Sequence, residues 1–330
     1  MQGYLGIDVG SVSTNIVVLN ERLEVLKSLY VRTKGQPIIT LKHAMQTLNK
    51  DMGSQLEILG VGTTGSARYL AGVMVGADVV KNEITAHAVA SAHFVPGVRT
   101  VIEIGGQDSK IICIKDNIVT DFAMNTVCAA GTGSFLDQQS GRLGIPVEQF
   151  GEIALQAKSP VRIAGRCSVF AESDMIHKQQ MGHTLPDIIA GLCEALARNF
   201  LNNVGKGKKV VPIISFQGGV AANAGMRKAF QTALDTDIVI PEHYNVMGAI
   251  GSAILAKEAV DGKNKTNFTG FGMTNSEYCS RSKECSGCPN LCEVIEIQRD
   301  SVPLARWGDR CGKWSMSIPD KTVSLQNTVG

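Results

Sequence analysis

Short apolar runs that end in glycine recur along this chain, separated by stretches whose apolar residues fall at helical spacing. Residues 4–8 form the first run, which leads into Asp8-Val9-Gly10. Ser11, Ser13 and Thr14 follow, and then the apolar run 16–19. That order predicts a strand, a tight glycine turn and a second strand. Residues 38–51 read as a helix, and 58–61 as a strand entering the Gly/Thr-rich turn 62–66. Residues 79–94 read as a helix with small residues on one face. The segment 100–104, then Gly105-Gly106-Gln107-Asp108, then 110–114 repeats the opening pattern: strand, glycine turn with an aspartate, strand. A motif repeated half a domain later predicts a duplicated fold with a cleft between the copies.

The second half continues with helices from about Thr132, from about Ser168 after a polar linker at 157–162, and over 186–203. A buried strand at 210–216 ends in Gln217-Gly218-Gly219-Val220 and leads into a helix from about Asn223. A strand at 238–240 and a small-residue helix at 247–258 follow. Beyond about 260, Gly, Lys, Asn, Thr and Ser dominate and the last twenty residues are polar and weakly patterned. A domain boundary is expected at 260–270.

Composition narrows the function classes. The 330 residues are 44% hydrophobic and 19% charged, enough apolar mass for two cores. A net charge of +2 leaves no electrostatic footprint for nucleic acid or membrane. The N-terminus lacks a basic region followed by an apolar one, so no secretory signal is expected. The apolar run 246–256 falls well short of the roughly 20 residues of a membrane-spanning helix. A cytoplasmic protein with neither nucleic-acid nor membrane partners is therefore expected. Nine cysteines, at 113, 128, 167, 193, 279, 285, 288, 292 and 311, change the picture. In a reducing compartment, clustered thiols point to metal or redox chemistry rather than disulfides.

Each of the three glycine turns, Gly10-Ser11, Gly105-Gly106 and Gly218-Gly219, follows a predicted strand. Glycine lets the backbone approach closely and turn its N–H groups toward phosphate oxygens. Ser11, Ser13 and Thr14 add hydroxyl donors, and Lys110 a cation. Asp8 and Asp108 suit Mg²⁺ held through water, since that ion keeps much of its hydration shell. Metal and donors together stabilise charge on a transferring phosphoryl group. No G-x-x-x-x-G-K-[ST] segment occurs, which excludes a P-loop.

As an ordered set these turns resemble the actin/Hsp70/hexokinase superfamily. Gly6-Ile7-Asp8-Val9-Gly10-Ser11 is similar to its first phosphate motif and Glu103-Ile104-Gly105-Gly106-Gln107-Asp108 to its second. Phe216-Gln217-Gly218-Gly219-Val220-Ala221 with Asn223 is similar to its adenosine motif. Asn82-Glu83-Ile84-Thr85-Ala86 looks like the connecting helix of Hsp70 proteins, which makes Glu83 the expected positioner of the attacking water. The resemblance implies an α/β, actin/Hsp70-like (ribonuclease H-like), duplicated two-lobe ATPase fold that binds ATP/ADP with Mg²⁺. Asp8, Glu83, Gln107 and Asp108 are then the expected catalytic residues. Gly10, Ser11, Ser13, Thr14, Gly105, Gly106, Gln107, Lys110, Gly218, Gly219, Val220 and Asn223 are the expected nucleotide ligands. The lobes are expected at 1–97, with 241–260 returning to it, and at 98–240, followed by a small Cys-rich extension at 261–330.

Cys128 and Cys167 each precede a predicted helix, whose positive end favours a negatively charged cluster. Two cysteines cannot fill the ligand sites of a [4Fe–4S] cluster, but a two-fold dimer brings a second pair. The segments Val127-Cys128-Ala129-Ala130-Gly131-Thr132-Gly133 and Gly165-Arg166-Cys167-Ser168-Val169-Phe170-Ala171-Glu172-Ser173-Asp174 narrow the resemblance. Across roughly residues 3–257 the chain looks like the activator ATPases of 2-hydroxyacyl-CoA dehydratases, relatives of the benzoyl-CoA reductase ATPase subunits. That resemblance implies a homodimer with one bridging [4Fe–4S] cluster on Cys128 and Cys167. It implies loading by ferredoxin or flavodoxin, and ATP-driven one-electron transfer to an (R)-2-hydroxyacyl-CoA dehydratase-like or reductase partner. The rival is a small-molecule kinase of the same fold, of N-acetylhexosamine type, although no clear sugar-binding segment is present. Cys113 and Cys193 fall within a predicted strand and helix and read as core.

A separate group, Cys279-x₅-Cys285-x₂-Cys288-x₃-Cys292 with Cys311 beyond, has the spacing of a metal knuckle, either zinc or a second Fe–S cluster.

Overall fold

A computed structural model describes residues 1–125, 127–262 and 265–315; Thr126 of the first cysteine motif and the polar end of the expected extension lie outside them. The chain divides into two units, residues 1–82 with 252–330 and residues 83–251.

The first unit opens with β1 (Gln2–Val9), β2 (Ser13–Leu19) and β3 (Val25–Arg32), followed by α1 (Pro37–Met52), β4 (Glu57–Thr64), α2 (Arg68–Val75) and β5 (Val79–Val80). Its sheet runs β3-β2-β1-β4-β5. The first three strands are antiparallel, while β4 joins β1 in parallel and β5 joins β4 in parallel. The central strands β1 and β4 are buried almost throughout because both faces are covered. Leu5, Ile7 and Val9 pack with Leu41, Met45 and Leu48 of α1 and Met74 of α2.

The second unit repeats this plan. After α3 (Glu83–Phe94) come β6 (Thr100–Ile104), β7 (Ser109–Lys115) and β8 (Ile118–Asn125). Then follow α4 (Gly133–Leu143), α5 (Val147–Ala154), α6 (Ser168–Gln180), α7 (Leu185–Asn203), β9 (Ile214–Gln217), α8 (Ala224–Leu234) and β10 (Ile238–Val239). Its sheet runs β10-β9-β6-β7-β8, again three antiparallel strands extended by two parallel ones. Phe216 of β9 stacks edge-on against Phe230 of α8 at 5.2 Å, and Phe230 meets Phe200 of α7 at 5.5 Å. Each such ring, fully buried, contributes about 1.5–3 kcal/mol. Cys193 sits in this core, where burial pushes its thiol up to about 12. Cys113 of β7 is likewise buried.

Helix α9 (Met247–Val260) crosses the division between Gly251 and Ser252. The earlier division falls at Asn82/Glu83 rather than 97/98. The reason is the apolar face of α3: Ile84 and Ala88, with Val95 just beyond it, pack on Val101, Ile112 and Ile114 of the second sheet. The sequence reading of 79–94 as one helix also splits. Val79 and Val80, both β-branched, pair with Gly62 and Thr63 as an edge strand before α3 begins. The strand expected at 210–216 is regular only from Ile214, since Pro212 lacks an N–H for a ladder. There Thr100 Oγ1 serves the Val211 backbone in place of a strand.

The tail builds a three-stranded antiparallel sheet, β11 (Tyr278–Glu284), β12 (Glu293–Arg299) and β13 (Val302–Trp307). Ile297 and Ala305 pack on Val73 of α2, so the extension is counted with the first unit.

Candidate functional site

The first turn is set by β1 and β2. Gly10 N donates to Ser13 O at 2.9 Å, and Ser11, at its tip, is exposed. Thr14 faces inward: it is wholly buried and its hydroxyl meets Thr33 Oγ1 at 3.1 Å, while Thr33 Oγ1 donates to Gly10 O at 3.0 Å. Thr14, an expected nucleotide ligand, is thus bonded on the inner side of the turn.

Asp8 is half-buried and lies opposite Asn15 on β2 and Thr64 on β4. Cross-strand partners share a face, so the three form a polar row across the sheet. Asn15 Oδ1 and Thr64 Oγ1 are buried and lack a hydrogen-bond partner among the described residues. Gly65 carries the chain over this row with φ +90°, and a Cβ there would strike Asp8 Oδ1. A carboxylate flanked by two spare oxygens, under a roof kept free of side chains, fits a hydrated Mg²⁺ ion. The residues Asn15, Thr64 and Gly65 were not singled out in the sequence. Only the Gly/Thr-rich character of 62–66 signalled them.

In the second unit, the turn between β6 and β7 closes with Gly105 N donating to Asp108 O at 3.0 Å, and Gln107 stands exposed at its tip. Lys110 points away from solvent. The residue is 3% exposed, and its ammonium lies 2.9 Å from both Glu103 Oε2 and Asp108 Oδ2. Burial opposes its charge, but the two carboxylates outweigh that and hold its pKa above the usual lysine value. Lys110, expected to reach a phosphate, is here paired with Asp108 and Glu103.

The third turn is packed against the second. Gly218 adopts φ +85°, and a side chain there would collide with Ile104 O and Glu103 Oε1. Gly219 is open to solvent, and Asn223 Oδ1 caps α8 by accepting from Met226 N at 3.0 Å. Asn223 Nδ2 has no hydrogen-bond partner among the described residues. Behind this turn, Gln217 accepts from Ser91 Oγ at 2.8 Å and its Nε2 lies 2.8 Å from His87 Nδ1. Burial drives the His87 pKa down to about 3, helped by the nearby Lys110 charge, so the neutral ring accepts that bond. This places α3, which begins at Glu83, in register with β9. Sequence reasoning missed His87 and Ser91, because a lone histidine and serine in a helix give no pattern.

The second turn is also bonded to the segment that follows Cys128. Gly133 N donates to Gly105 O at 2.8 Å, and Ser134 donates to Gly106 O through its backbone at 2.8 Å and through Oγ at 2.5 Å. A Cβ at Gly133 would meet Gly105 O at 3.0 Å and Val220 Cγ2 at 3.1 Å, so one glycine touches both turns. Cys128 itself precedes a single 3₁₀ turn at Ala129–Gly131, and α4 starts only at Gly133. The α4 dipole fades within one turn, so the loop is held chiefly by Asn125. Asn125 Oδ1 accepts from Cys128 N at 2.9 Å and its Nδ2 donates to Cys128 O at 2.7 Å. Cys167 does stand directly before α6.

Helix α7 joins the two cysteine loops. Asn199, buried, donates through Nδ2 to Gly165 O, and its Oδ1 lies 2.9 Å from where a Cβ on Gly131 would stand. Arg198 donates to Ile163 O at 2.8 Å. Glu172 on α6 accepts from Gln138 at 3.0 Å and pairs with Arg142 at 2.5 Å, both on α4. Cys128 and Cys167 are each half-buried, beside the exposed side chains of Val127 and of Val169 and Phe170. Two thiols at an apolar surface supply half of the four ligands that a [4Fe–4S] cluster takes.

Among the described residues no helix is long and apolar enough to cross a membrane.

The sequence model of the BadF/BadG/BcrA/BcrD ATPase family matches residues 5–256. The chain is 34% identical to the (R)-2-hydroxyglutaryl-CoA dehydratase activating ATPase of Acidaminococcus fermentans over 258 residues, 76% of this chain and 96% of that one. It is 33% identical to the activator of lactoyl-CoA dehydratase of Anaerotignum propionicum, over 78% of this chain and 99% of that one. The solved activator of the 2-hydroxyisocaproyl-CoA dehydratase from Clostridium difficile with bound ADPNP superposes with a TM-score of 0.72 at 29% identity, covering 79% and 97% of the two chains.

Proposed function

Because the chain belongs to the BadF/BadG/BcrA/BcrD ATPase family, we propose that it is an ATP-driven, one-electron activator of a 2-hydroxyacyl-CoA dehydratase-like or benzoyl-CoA reductase-like enzyme. It acts as a homodimer in the cytoplasm of an anaerobic cell and receives electrons from ferredoxin or flavodoxin. A [4Fe–4S] cluster, when bound, supplies a one-electron carrier. Cys128 and Cys167 of each copy are its ligands.

The observation that carries this reading is the bonding of Gly105 and Gly106 to Gly133 and Ser134. Any shift of the phosphate-binding turn pulls on the chain five residues after Cys128. Asn199 and Glu172 pass that pull to the loop and helix at Cys167. Differential binding of ATP and ADP then becomes a difference in how the cysteine loops are held.

In the ATPase reaction, Asp8, with Asn15 and Thr64 beside it, is the carboxylate of the first unit that would hold Mg²⁺, and Asp108 is the corresponding carboxylate of the second. Gly10, Ser11, Ser13, Gly105, Gly106 and Gln107 offer donors to the phosphates. Gly218, Gly219, Val220 and Asn223 form the adenosine side, and Glu83 orients the attacking water. Lys110 and Thr14 position the turns without touching nucleotide.

Anaerobic purification with iron and sulfide analysis of wild type and Cys128→Ser tests the assignment. Wild type should be coloured and iron-bearing, and the variant should lose most of its iron. A wild type free of iron removes the cluster, and undiminished iron in the variant removes the ligand.

A further inference from the structure

The tail sheet gathers four of the five C-terminal cysteines at one end. The β11–β12 hairpin closes with Cys285 N donating to Cys292 O at 2.8 Å, and within its tip Leu291 N donates to Cys288 O at 3.3 Å. These bonds put Cys285, Cys288 and Cys292 on a single short loop. Cys279 lies six residues back along β11, where it pairs with Gln298. At about 3.3 Å per residue that is about 20 Å from the tip, too far to share a ligand with it.

Cys311 arrives from the other direction. Trp307 at the end of β13 pairs with Ile295, and Gly308 then turns with φ +102° so tightly against the Glu293 carbonyl that a Cβ would strike it. Glu293 is the neighbour of Cys292. The buried carboxylate of Asp309 accepts from Trp314 N at 2.9 Å and from Ser315 Oγ at 2.5 Å, which folds residues 309–315 into a closed loop. Two contacts lay that loop over the hairpin tip. Lys283 Nζ sits 3.7 Å above the Trp314 ring. A Cβ at Gly287 would stand 3.5 Å from Cys285 Sγ and 3.6 Å from Lys313 Nζ. Cys311 is three residues from the first anchor, Gly308, and two from Lys313, hence within about 7–10 Å of chain from each.

From this convergence we infer that Cys285, Cys288, Cys292 and Cys311 form a tetrathiolate zinc site that staples the segment after β13 to the β11–β12 tip. Among the described residues no three His, Cys, Asp or Glu side chains are grouped to hold a metal ion, so filling the site requires the exposed Cys288 and Cys311 to turn inward. Cys-x₂-Cys on a tight hairpin, completed by thiols from flanking segments, is the ligand pattern of structural zinc, and the tight closure suits a single ion. Four thiolates around Zn²⁺ leave a net negative charge, and Lys283 and Lys313 supply the offset. A site with four protein ligands has no open position and is structural in character. It stands apart from Cys128 and Cys167 and beyond the family match at residues 5–256.

The test uses the full chain, purified anaerobically with zinc in the growth medium. Metal analysis should find about one zinc per chain, and zinc-edge X-ray absorption should find a sulfur shell near about 2.3 Å. Cys288→Ser and Cys311→Ser should lose that zinc, whereas Cys279→Ser should keep it. All three should retain wild-type ATPase rates, which shows that they fold. Wild type without zinc, or loss of zinc in Cys279→Ser equal to that in Cys311→Ser, overturns the site. Iron with acid-labile sulfide persisting in Cys128→Ser overturns the choice of zinc.

Discussion

Replacing Lys110 with methionine separates a buried positioning lysine from a phosphate ligand. In the native chain the Lys110 ammonium and Glu103 carboxylate are 2.9 Å apart, with side chains only 4% and 6% exposed. Asp108, 37% exposed and also at 2.9 Å, is partly screened by water and contributes less than Glu103. Lys110→Met keeps the volume of the stem but leaves the buried Glu103 without its Lys110 counter-charge. Breaking a buried pair in this way costs about 3–5 kcal/mol, which for a unit of this size lowers Tm by about 6–20 °C. Lys110 holds its proton more tightly when folded than unfolded. Its contribution is therefore complete below the unfolded value of 10.5 and is lost only as pH rises past it. The penalty in Lys110→Met should shrink in acid, where Glu103 can take up a proton. The double variant Glu103→Gln/Lys110→Met should recover most of the lost Tm. Thermal unfolding followed by circular dichroism at pH 8 and pH 5 measures all three. A Lys110→Met protein with native Tm and a raised KM for ATP would refute the reasoning, because a solvent-facing phosphate ligand behaves that way.

Two further outcomes follow from the second unit. His87→Asn keeps an acceptor for Gln217 Nε2 but removes a group whose pKa falls from 6.5 to about 3 on folding. A depressed histidine stabilises above pH 6.5 and loses that contribution as pH drops toward 3. Urea titrations should show wild type losing about 2 kcal/mol more than the variant between pH 6.5 and 5, and parallel profiles would contradict the buried neutral ring. Asn199→Ala removes the buried bond to Gly165 O, costing about 1–3 kcal/mol. It should lower iron retention while leaving ATP hydrolysis near normal, and native iron content would show that α7 does not hold the cysteine loops.

The third glycine turn was legible because close backbone approach permits almost no other residue at Gly218, with its positive φ and crowded Cβ position. The cysteine motifs were legible for a different reason, since each joins a thiol to a chain reversal. The directions of Thr14 and Lys110 were not legible. Whether a polar side chain faces nucleotide or protein depends on partners such as Thr33 and Glu103, and for Thr33 that partner lies on a separate stretch of chain. The tail sheet was hidden because β11, Tyr-Cys-Ser-Arg-Ser-Lys-Glu, is exposed along nearly its whole length and so carries no apolar alternation. Strands β3 and β8 escaped for a similar reason, as edge strands with one wet face.

The central claim is that the nucleotide at the Gly105–Gly106 turn is felt at Cys128. Anaerobic redox titration followed by EPR, with ADP and then with ADPNP, measures this directly. The account predicts an iron-bearing dimer whose midpoint potential differs between the two nucleotides by on the order of 60 mV or more, a tenfold change for a one-electron couple. An identical potential with both nucleotides, or a monomer that hydrolyses ATP without iron, would contradict it.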